Sequence, residues 1–189
     1  MSEMPLYYKS MMVFASGIDA CIEKKLNTPA LILIYSAIDT TGWLDSSEEF
    51  ATKASFMNWV DAYLLKAKPL RCTSLDLYAA RCGLLHTFTP DSQLSISGKA
   101  RRIYYALGKG SIQDLQRTID FRNKSEEYVA VHVNDLYEAL KLGRIRFNEE
   151  LENDPDRKVR VYKKAGKFFA DFSLEAMSDV LSVINDKGV

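Results

Sequence analysis

Histidine and arginine offer the clearest chemistry in this sequence, because the chain contains only two histidines, His86 and His132. Histidine has a pKa near neutrality and can donate or accept a proton at physiological pH. His132 lies in an alternating Val-His-Val run, which favours a structural or exposed position at a strand edge or beside a helix cap. His86 lies near the end of an apolar segment that also contains Arg81. Arg81 and His86 are therefore the main candidate site.

Arg81 is a permanent cation between small and apolar residues. Burying a guanidinium group costs free energy unless a carboxylate pairs with it or the group lines a cleft. Asp39 lies in an apolar segment of its own and is the best candidate to pair with Arg81 or to orient His86. A structural role for Asp39, such as capping a helix or binding a buried hydroxyl, is an equal alternative.

The spacing of Arg81 and His86 constrains their geometry. Five positions on a straight α-helix correspond to about 140° of rotation, so the two side chains are expected on different faces. We expect them to converge only if the helix loosens near Gly83 or if a second subunit completes the site. This geometry favours a dimer.

The spacing Arg81-x4-His86 resembles the R-x(4–6)-H motif of the HEPN family. The segment from Ile34 to Gly42, Ile-Tyr-Ser-Ala-Ile-Asp-Thr-Thr-Gly, is similar to the second helix of that family. The resemblance covers residues 6 to 90, about half of the chain. It implies a helical bundle that forms homodimers, with the Arg and His of both subunits around one cleft, and a metal-independent endoribonuclease activity.

In that activity, the resemblance makes Arg81 the phosphate ligand and His86 the general acid or base. A guanidinium group offers a planar fork to phosphate, and a histidine can take the proton of a ribose 2′-hydroxyl or protonate a leaving 5′-oxygen. No metal is needed if the 2′-hydroxyl attacks its own phosphodiester. The resemblance also implies RNA as a partner, and an antitoxin or phage-defence protein as a second one.

Two residues near the motif differ from common patterns of the family. Cys82 follows Arg81, where ribonuclease members often have a polar residue, and we expect a small buried residue there rather than a nucleophile. Phe88 lies where toxins paired with a nucleotidyltransferase antitoxin have a tyrosine that accepts a nucleotide. That modification is therefore not expected at this position.

A second group of residues combines basic and aromatic side chains. It comprises Lys99, Arg101, Arg102 and Lys109, interleaved with Tyr104 and Tyr105. Basic side chains hold phosphates and tyrosine rings stack on bases. The candidate nucleic-acid-binding residues are accordingly Lys99, Arg101, Arg102 and Tyr104. A hairpin with one solvated face is the alternative explanation.

The overall composition limits the partners and the location of the protein. Lys and Arg, 25 in total, balance 25 Asp and Glu, so RNA binding requires a local basic patch. Three separated cysteines and two histidines favour neither a disulfide framework nor a zinc site, and we expect no metal or other cofactor. The longest apolar run, residues 30–38, is shorter than a membrane span of about 20 residues, and no secretion signal opens the chain. We therefore expect a cytoplasmic protein that is not associated with membranes.

The hydrophobic spacing predicts a mainly α fold. We expect a HEPN-like helical bundle in residues 1–90 and a small β-containing appendage in residues 91–189, packed together as one domain. The predicted helices are Leu6–Leu26, Pro29–Leu44, Glu48–Leu65, a fourth from residue 73 or 74 to His86, Asp135–Leu151, Arg157–Lys164 and Phe172–Ile184. A hairpin is predicted from Gln93–Ile96 and Arg101–Leu107, and a strand over Tyr128–Val133. Either residues 73–86 or Asp135–Leu151 supply the fourth helix of the bundle.

Three functions are compatible with these features. The first is a ribonuclease in which Arg81 and His86 act together. The second is a non-catalytic module of the same fold that binds nucleotide or RNA, or that serves a dimer interface. The third is an unrelated helical adaptor in which Arg81 pairs with Asp39 inside the core. An exposed two-fold cleft lined by Arg81 and His86 argues against the third function, and burial of both residues far apart in every assembly argues against the first.

Overall fold

The computed structural model describes residues 5–167. This part of the chain is mainly helical and contains a small two-stranded sheet in its second half. The elements in chain order are α1 (Leu6–Glu23), α2 (Asn27–Asp45), α3 (Lys53–Trp59), a π-helical turn π1 (Val60–Leu64), α4 (Leu65–Ala67), α5 (Ser74–Thr87), α6 (Gln93–Ile96), β1 (Arg102–Ala106), α7 (Ile112–Phe121), β2 (Tyr128–His132), α8 (Val133–Glu152) and α9 (Pro155–Ala165). The predicted fold class is confirmed, whereas the predicted helix Phe172–Ile184 lies outside the described residues.

Helix α2 is the centre of the bundle, as its nearly continuous apolar sequence predicts. It packs against α1, α3, α5, α8 and α9. Its residues Ile34, Tyr35 and Ile38 are fully buried among Phe56 and Phe147 of the surrounding core. A helix buried on most sides holds a rigid position, which matters because α2 carries Asp39.

Thr52 determines where the third helix begins. The Thr52 hydroxyl accepts a hydrogen bond from the backbone N–H of Ser55, and the Ser55 hydroxyl oxygen accepts one from the N–H of Thr52. This capping box starts α3 at Lys53, whereas hydrophobic spacing placed the start at Glu48. Residues 46–50 form bends instead.

The predicted hairpin is wrong. Gln93–Ile96 forms one helical turn, which begins because Ser92 and Ser95 cap each other as in a capping box. Strand β1 pairs in parallel with β2, in a register that sets Arg102 opposite Tyr128. Parallel strands need a crossover connection, and α7, which the sequence pattern did not predict, supplies it.

The second half of the described chain also contributes to the bundle. Helix α8 follows β2 directly and packs against α2, π1 and α9, and α9 packs against α1 and α2. The approach of α8 to π1 is close, because a Cβ atom on Gly143 would lie 3.1 Å from Leu64 Cα. Both α5 and α8 therefore belong to the packed helices, and β1 packs on α5 at the edge of the bundle.

Candidate active site on helix α5

Helix α5 carries both Arg81 and His86 and is fixed at each end. At its start, the Thr73 hydroxyl accepts from the N–H of Asp76, and the Asp76 carboxylate accepts from the N–H of Thr73. At its end, Phe88 adopts a left-handed conformation with φ of 59°, and the N–H of Thr89 donates to the carbonyl of Gly83. These caps keep α5 helical from Ser74 to Thr87.

Arg81 bridges Asp39 and His86. Its Nη2 lies 2.6 Å from Asp39 Oδ2, and its Nη1 lies 2.9 Å from His86 Nε2. Asp39 comes from the rigid helix α2, so the carboxylate fixes one side of the guanidinium fork. The structure thus brings the three candidate catalytic residues together within one chain, with Asp39 paired to Arg81 rather than to His86.

The expectation that α5 must loosen, or that a second subunit must complete the pair, is wrong. The helix is regular through Gly83, and the long Arg81 side chain reaches along one turn to His86. Gly83 serves a different purpose. A Cβ atom there would lie 2.6 Å from the carbonyl oxygen of Thr89 and 2.7 Å from that of Asp91, so glycine lets this loop lie against the helix.

The contact with Arg81 limits the role of one nitrogen of His86. A guanidinium group has donors but no acceptor, so a hydrogen bond between Arg81 Nη1 and His86 Nε2 is donated by Arg81. The Nε2 atom of His86 then serves as an acceptor beside a cation, and an acceptor nitrogen is what a general base requires.

The site opens to solvent on its histidine side. His86 is exposed, whereas the side chains of Arg81 and Asp39 are 18% and 16% exposed. The Nε atom of Arg81 is buried and has no hydrogen-bond partner within residues 5–167. Burial lowers the pKa of Arg81, but the hydrogen bond and charge of Asp39 outweigh it, so the pKa is raised and the cation is permanent. An anion that enters beside His86 can therefore meet a fixed positive charge.

Two residues that the sequence analysis missed border this site. Tyr78 precedes Cys82 by one helical turn, and burial together with the Cys82 thiol raises the pKa of Tyr78. The Nζ atom of Lys53 lies 5.8 Å from the centre of the Tyr78 ring, so a second cation lies beside Tyr78. The i, i+4 spacing on α5 was a usable signal for Tyr78, but nothing in the sequence links Lys53 to α5.

The predicted nucleic-acid-binding residues divide into separate environments. The backbone N–H, Nε and Nη2 of Arg101 all donate hydrogen bonds to the Asp76 carboxylate, so these donors are not available to a phosphate. Lys99 is exposed. Arg102 pairs with Asp91 and lies over the ring of Tyr128, on which Tyr104 stacks. Thus Arg102 and Tyr104 lie together, whereas Arg101 stabilises the start of α5.

The other two residues of the basic-aromatic group also differ from each other. Lys109 is exposed, whereas the hydroxyl of Tyr105 is hydrogen-bonded to the hydroxyl of Tyr35 in the core helix α2. Tyr105 therefore anchors β1 to the bundle and is not free to stack on a base.

His132 differs from His86 in that both of its ring nitrogens bond to the backbone. Its Nδ1 accepts from the N–H of Asn134 at the start of α8, and its Nε2 lies 3.1 Å from the carbonyl oxygen of Gly108. This is the helix-cap position that the sequence favoured. His132 therefore serves the fold.

Within residues 5–167, no three or more His, Cys, Asp and Glu side chains are grouped so that they could hold a metal ion. None of the helices in this part of the chain has the length and apolar character of a membrane span. Comparison of the chain with protein-family models, curated proteins and solved structures finds no match.

Proposed function

We propose that the protein is a metal-independent endoribonuclease of the HEPN type. The observation that carries the proposal is the contact of 2.9 Å between Arg81 Nη1 and the Nε2 atom of the exposed His86. Asp39 fixes the guanidinium group from the other side. A fixed cation beside an accessible base is the combination that phosphodiester cleavage by a ribose 2′-hydroxyl requires.

The reaction follows from these positions. Arg81 Nη1 leaves His86 Nε2 to donate to the entering phosphate, and the freed Nε2 takes the proton of the 2′-hydroxyl. The 2′-oxygen then forms a bond to phosphorus while the bond to the 5′-oxygen breaks. The leaving 5′-oxygen takes a proton from a second His86 in a homodimer, which must be in its protonated imidazolium form, so the products are a 2′,3′-cyclic phosphate and a 5′-hydroxyl.

The biological setting belongs to the same proposal. RNA is the substrate, and the protein acts in the cytoplasm as a homodimer within a toxin–antitoxin or phage-defence system. The support is the resemblance of Arg81-x4-His86 and residues 34–42 to the HEPN family. An antitoxin or another defence protein would then control access to His86.

A second candidate function is a non-catalytic module that binds RNA or nucleotides. The observation that favours it is the same contact, since Arg81 Nη1 occupies the lone pair that His86 needs as a base. In this function Arg81 binds phosphate and His86 orients Arg81. Binding of RNA without cleavage distinguishes the module from the enzyme.

The test is cleavage of a mixed structured RNA in excess EDTA by wild type, His86→Ala and His132→Ala. His132→Ala is the matched control, because it removes the other histidine, which caps α8 away from Arg81. Circular dichroism checks the fold of each variant. We expect wild type and His132→Ala to leave cyclic phosphate ends, and His86→Ala to lose at least about 100-fold in rate. If folded His86→Ala cleaves RNA at the wild-type rate, the proposal that His86 is the general base of a ribonuclease is refuted.

A further inference from the structure

The two strands of the sheet hold two tyrosine rings in a stack. The ring centres of Tyr104 on β1 and Tyr128 on β2 lie 4.7 Å apart, with 20° between the ring planes. The guanidinium carbon of Arg102 lies 5.6 Å from the centre of the Tyr128 ring. Tyr104 is nevertheless 43% exposed, so one aromatic surface stays accessible.

A cleft lies beside these rings, between the sheet and the crossover helix α7. Its volume is about 240 Å³. Leu115 and Ile119 give it an apolar part, and Thr118, Arg122 and Lys124 give it a polar part. Sites for drug-sized ligands start at about 300 Å³, so this cleft suits a smaller planar group such as a single base.

The cations around the cleft differ in how far they are neutralised. Lys124 pairs with Glu127, and Arg102 pairs with Asp91. Arg122 is exposed and forms no ion pair with any residue from 5 to 167. Burial and the neighbouring Tyr128 raise the pKa of Tyr104, and the charges of Arg102 and Arg122 oppose that rise. Arg122 is thus available to a phosphate.

We propose that Tyr104, Tyr128 and Arg122 form a subsite for single-stranded RNA, in which one unstacked base lies on Tyr104 and its phosphate meets Arg122. Stacking on aromatic side chains together with a basic groove is the common way in which proteins hold single strands. The choice of RNA rests on the proposed function. The subsite itself contains neither Arg81 nor His86.

Contacts connect this subsite to the catalytic helix. Asp91, which pairs with Arg102 beside Tyr128, belongs to the loop that lies against Gly83 of α5. Strand β1 also packs on α5 directly. The subsite and the candidate active site are therefore held by one packed unit, so a strand bound at Tyr104 has a fixed position relative to α5.

The test is the binding of a short fluorescein-labelled single-stranded RNA with 2′-O-methyl groups, followed by anisotropy. The 2′-O-methyl groups remove the nucleophile, so binding is measured whether or not the protein cleaves RNA. Arg122 caps the C-terminal end of α7, and Arg122→Gln is compared with Arg117→Gln, which removes a charge from α7 outside the cleft, where Arg117 pairs with Asp114. Tyr104→Ala is compared with Tyr104→Phe, which keeps the ring. Circular dichroism and thermal unfolding check each fold.

We expect Arg122→Gln and Tyr104→Ala each to weaken binding at least about five-fold, and Arg117→Gln and Tyr104→Phe to bind like wild type. A matching RNA duplex, whose bases are stacked inside, is expected to bind more weakly. The proposed subsite is refuted if the wild type does not bind the single strand. It is also refuted if Arg122→Gln and Arg117→Gln lose the same affinity, or if the wild type binds the duplex as tightly as the single strand. If the protein binds this RNA at the subsite but cleaves no RNA, the proposed ribonuclease activity is refuted and the proposed subsite stands.

Discussion

Two arginine–aspartate pairs lie along α5 and differ in how completely their groups are satisfied. At the start of the helix, the side chain of Asp76 is 4% exposed and accepts from the backbone N–H groups of Thr73 and Arg101 and from the Arg101 side chain. Arg101 also donates to the carbonyl of Arg71. This pair joins the strand β1 to the helix.

Near the end of the helix, Arg81 and Asp39 share a single short hydrogen bond. The remaining Nη of Arg81 meets the exposed His86, and its Nε has no partner among residues 5–167. Buried polar groups in folded proteins are usually all satisfied, and exceptions are frequent at functional sites. The Arg101–Asp76 pair, whose hydrogen-bonding groups are occupied within the fold, thus supports the fold. Arg81, in contrast, has Nη1 beside an exposed histidine, where a ligand can accept from it.

The largest effect on stability is expected from Asp76→Ala. Removing the carboxylate leaves Arg101 and two backbone N–H groups without their acceptor, and breaking such a buried pair costs about 3–5 kcal/mol in free energy of unfolding. Urea denaturation measures the loss. Asp39→Ala is the matched control and is expected to lose less than half as much, because the Asp39 side chain is 16% exposed, against 4% for Asp76, and accepts from Arg81 alone among residues 5–167. Equal losses would contradict the distinction between the two pairs.

A smaller loss is expected from Gly83→Ala, which tests how the loop after α5 is held. The new Cβ atom would clash with the carbonyl oxygens of Thr89 and Asp91, at a cost of about 1–3 kcal/mol in free energy of unfolding. The control is Gly17→Ala, where the nearest atom is the flexible Leu33 Cδ1 at 3.2 Å. Thermal unfolding should show a lower Tm for the first variant alone, and an unchanged Tm there would refute the close approach.

The smallest effect is expected from acid. Burial of Asp76 favours a higher pKa, but the hydrogen bonds from Thr73 and Arg101 outweigh it and the pKa is lowered. A lowered folded-state pKa contributes stability above the unfolded pKa of about 3.9, and this contribution is lost as the pH falls through the folded value. Asp76→Asn should therefore flatten the decline of unfolding free energy below about pH 4. An unchanged acid slope in this variant would show that Asp76 is not responsible.

The sequence predicted the elements whose apolar pattern is long. Helices α1, α2, α5 and α8 follow from such patterns, and the pairing of Asp39 with Arg81 follows from the cost of burying charge. The parallel pairing of β1 with β2 was not predictable from Tyr104 or Tyr128, because the sequence of a five-residue strand does not determine which other strand it pairs with. Helix α7 was missed although its sequence carries a signal, since Ile112, Leu115 and Ile119 have helical spacing and follow the N-cap residue Ser111.

The roles of individual cations were the least predictable. Arg101 and Arg102 are adjacent, yet one binds Asp76 in the fold and the other lies at the tyrosine stack. The difference arises from contacts to residues 25 positions away and from the parallel register, neither of which local sequence encodes. Lys53 and Arg122 were overlooked for the same reason.

The central claim is tested most directly by the rate of RNA cleavage in EDTA for two matched variants, Arg81→Met and Arg101→Met, each with its free energy of unfolding. We expect the folded fraction of Arg81→Met to lose about 100-fold or more in rate, because a donor to the phosphate is removed. Arg101→Met removes side-chain donors from Asp76, so it should lose stability, and its folded fraction should cleave like wild type. Cleavage at the wild-type rate by folded Arg81→Met would contradict the account.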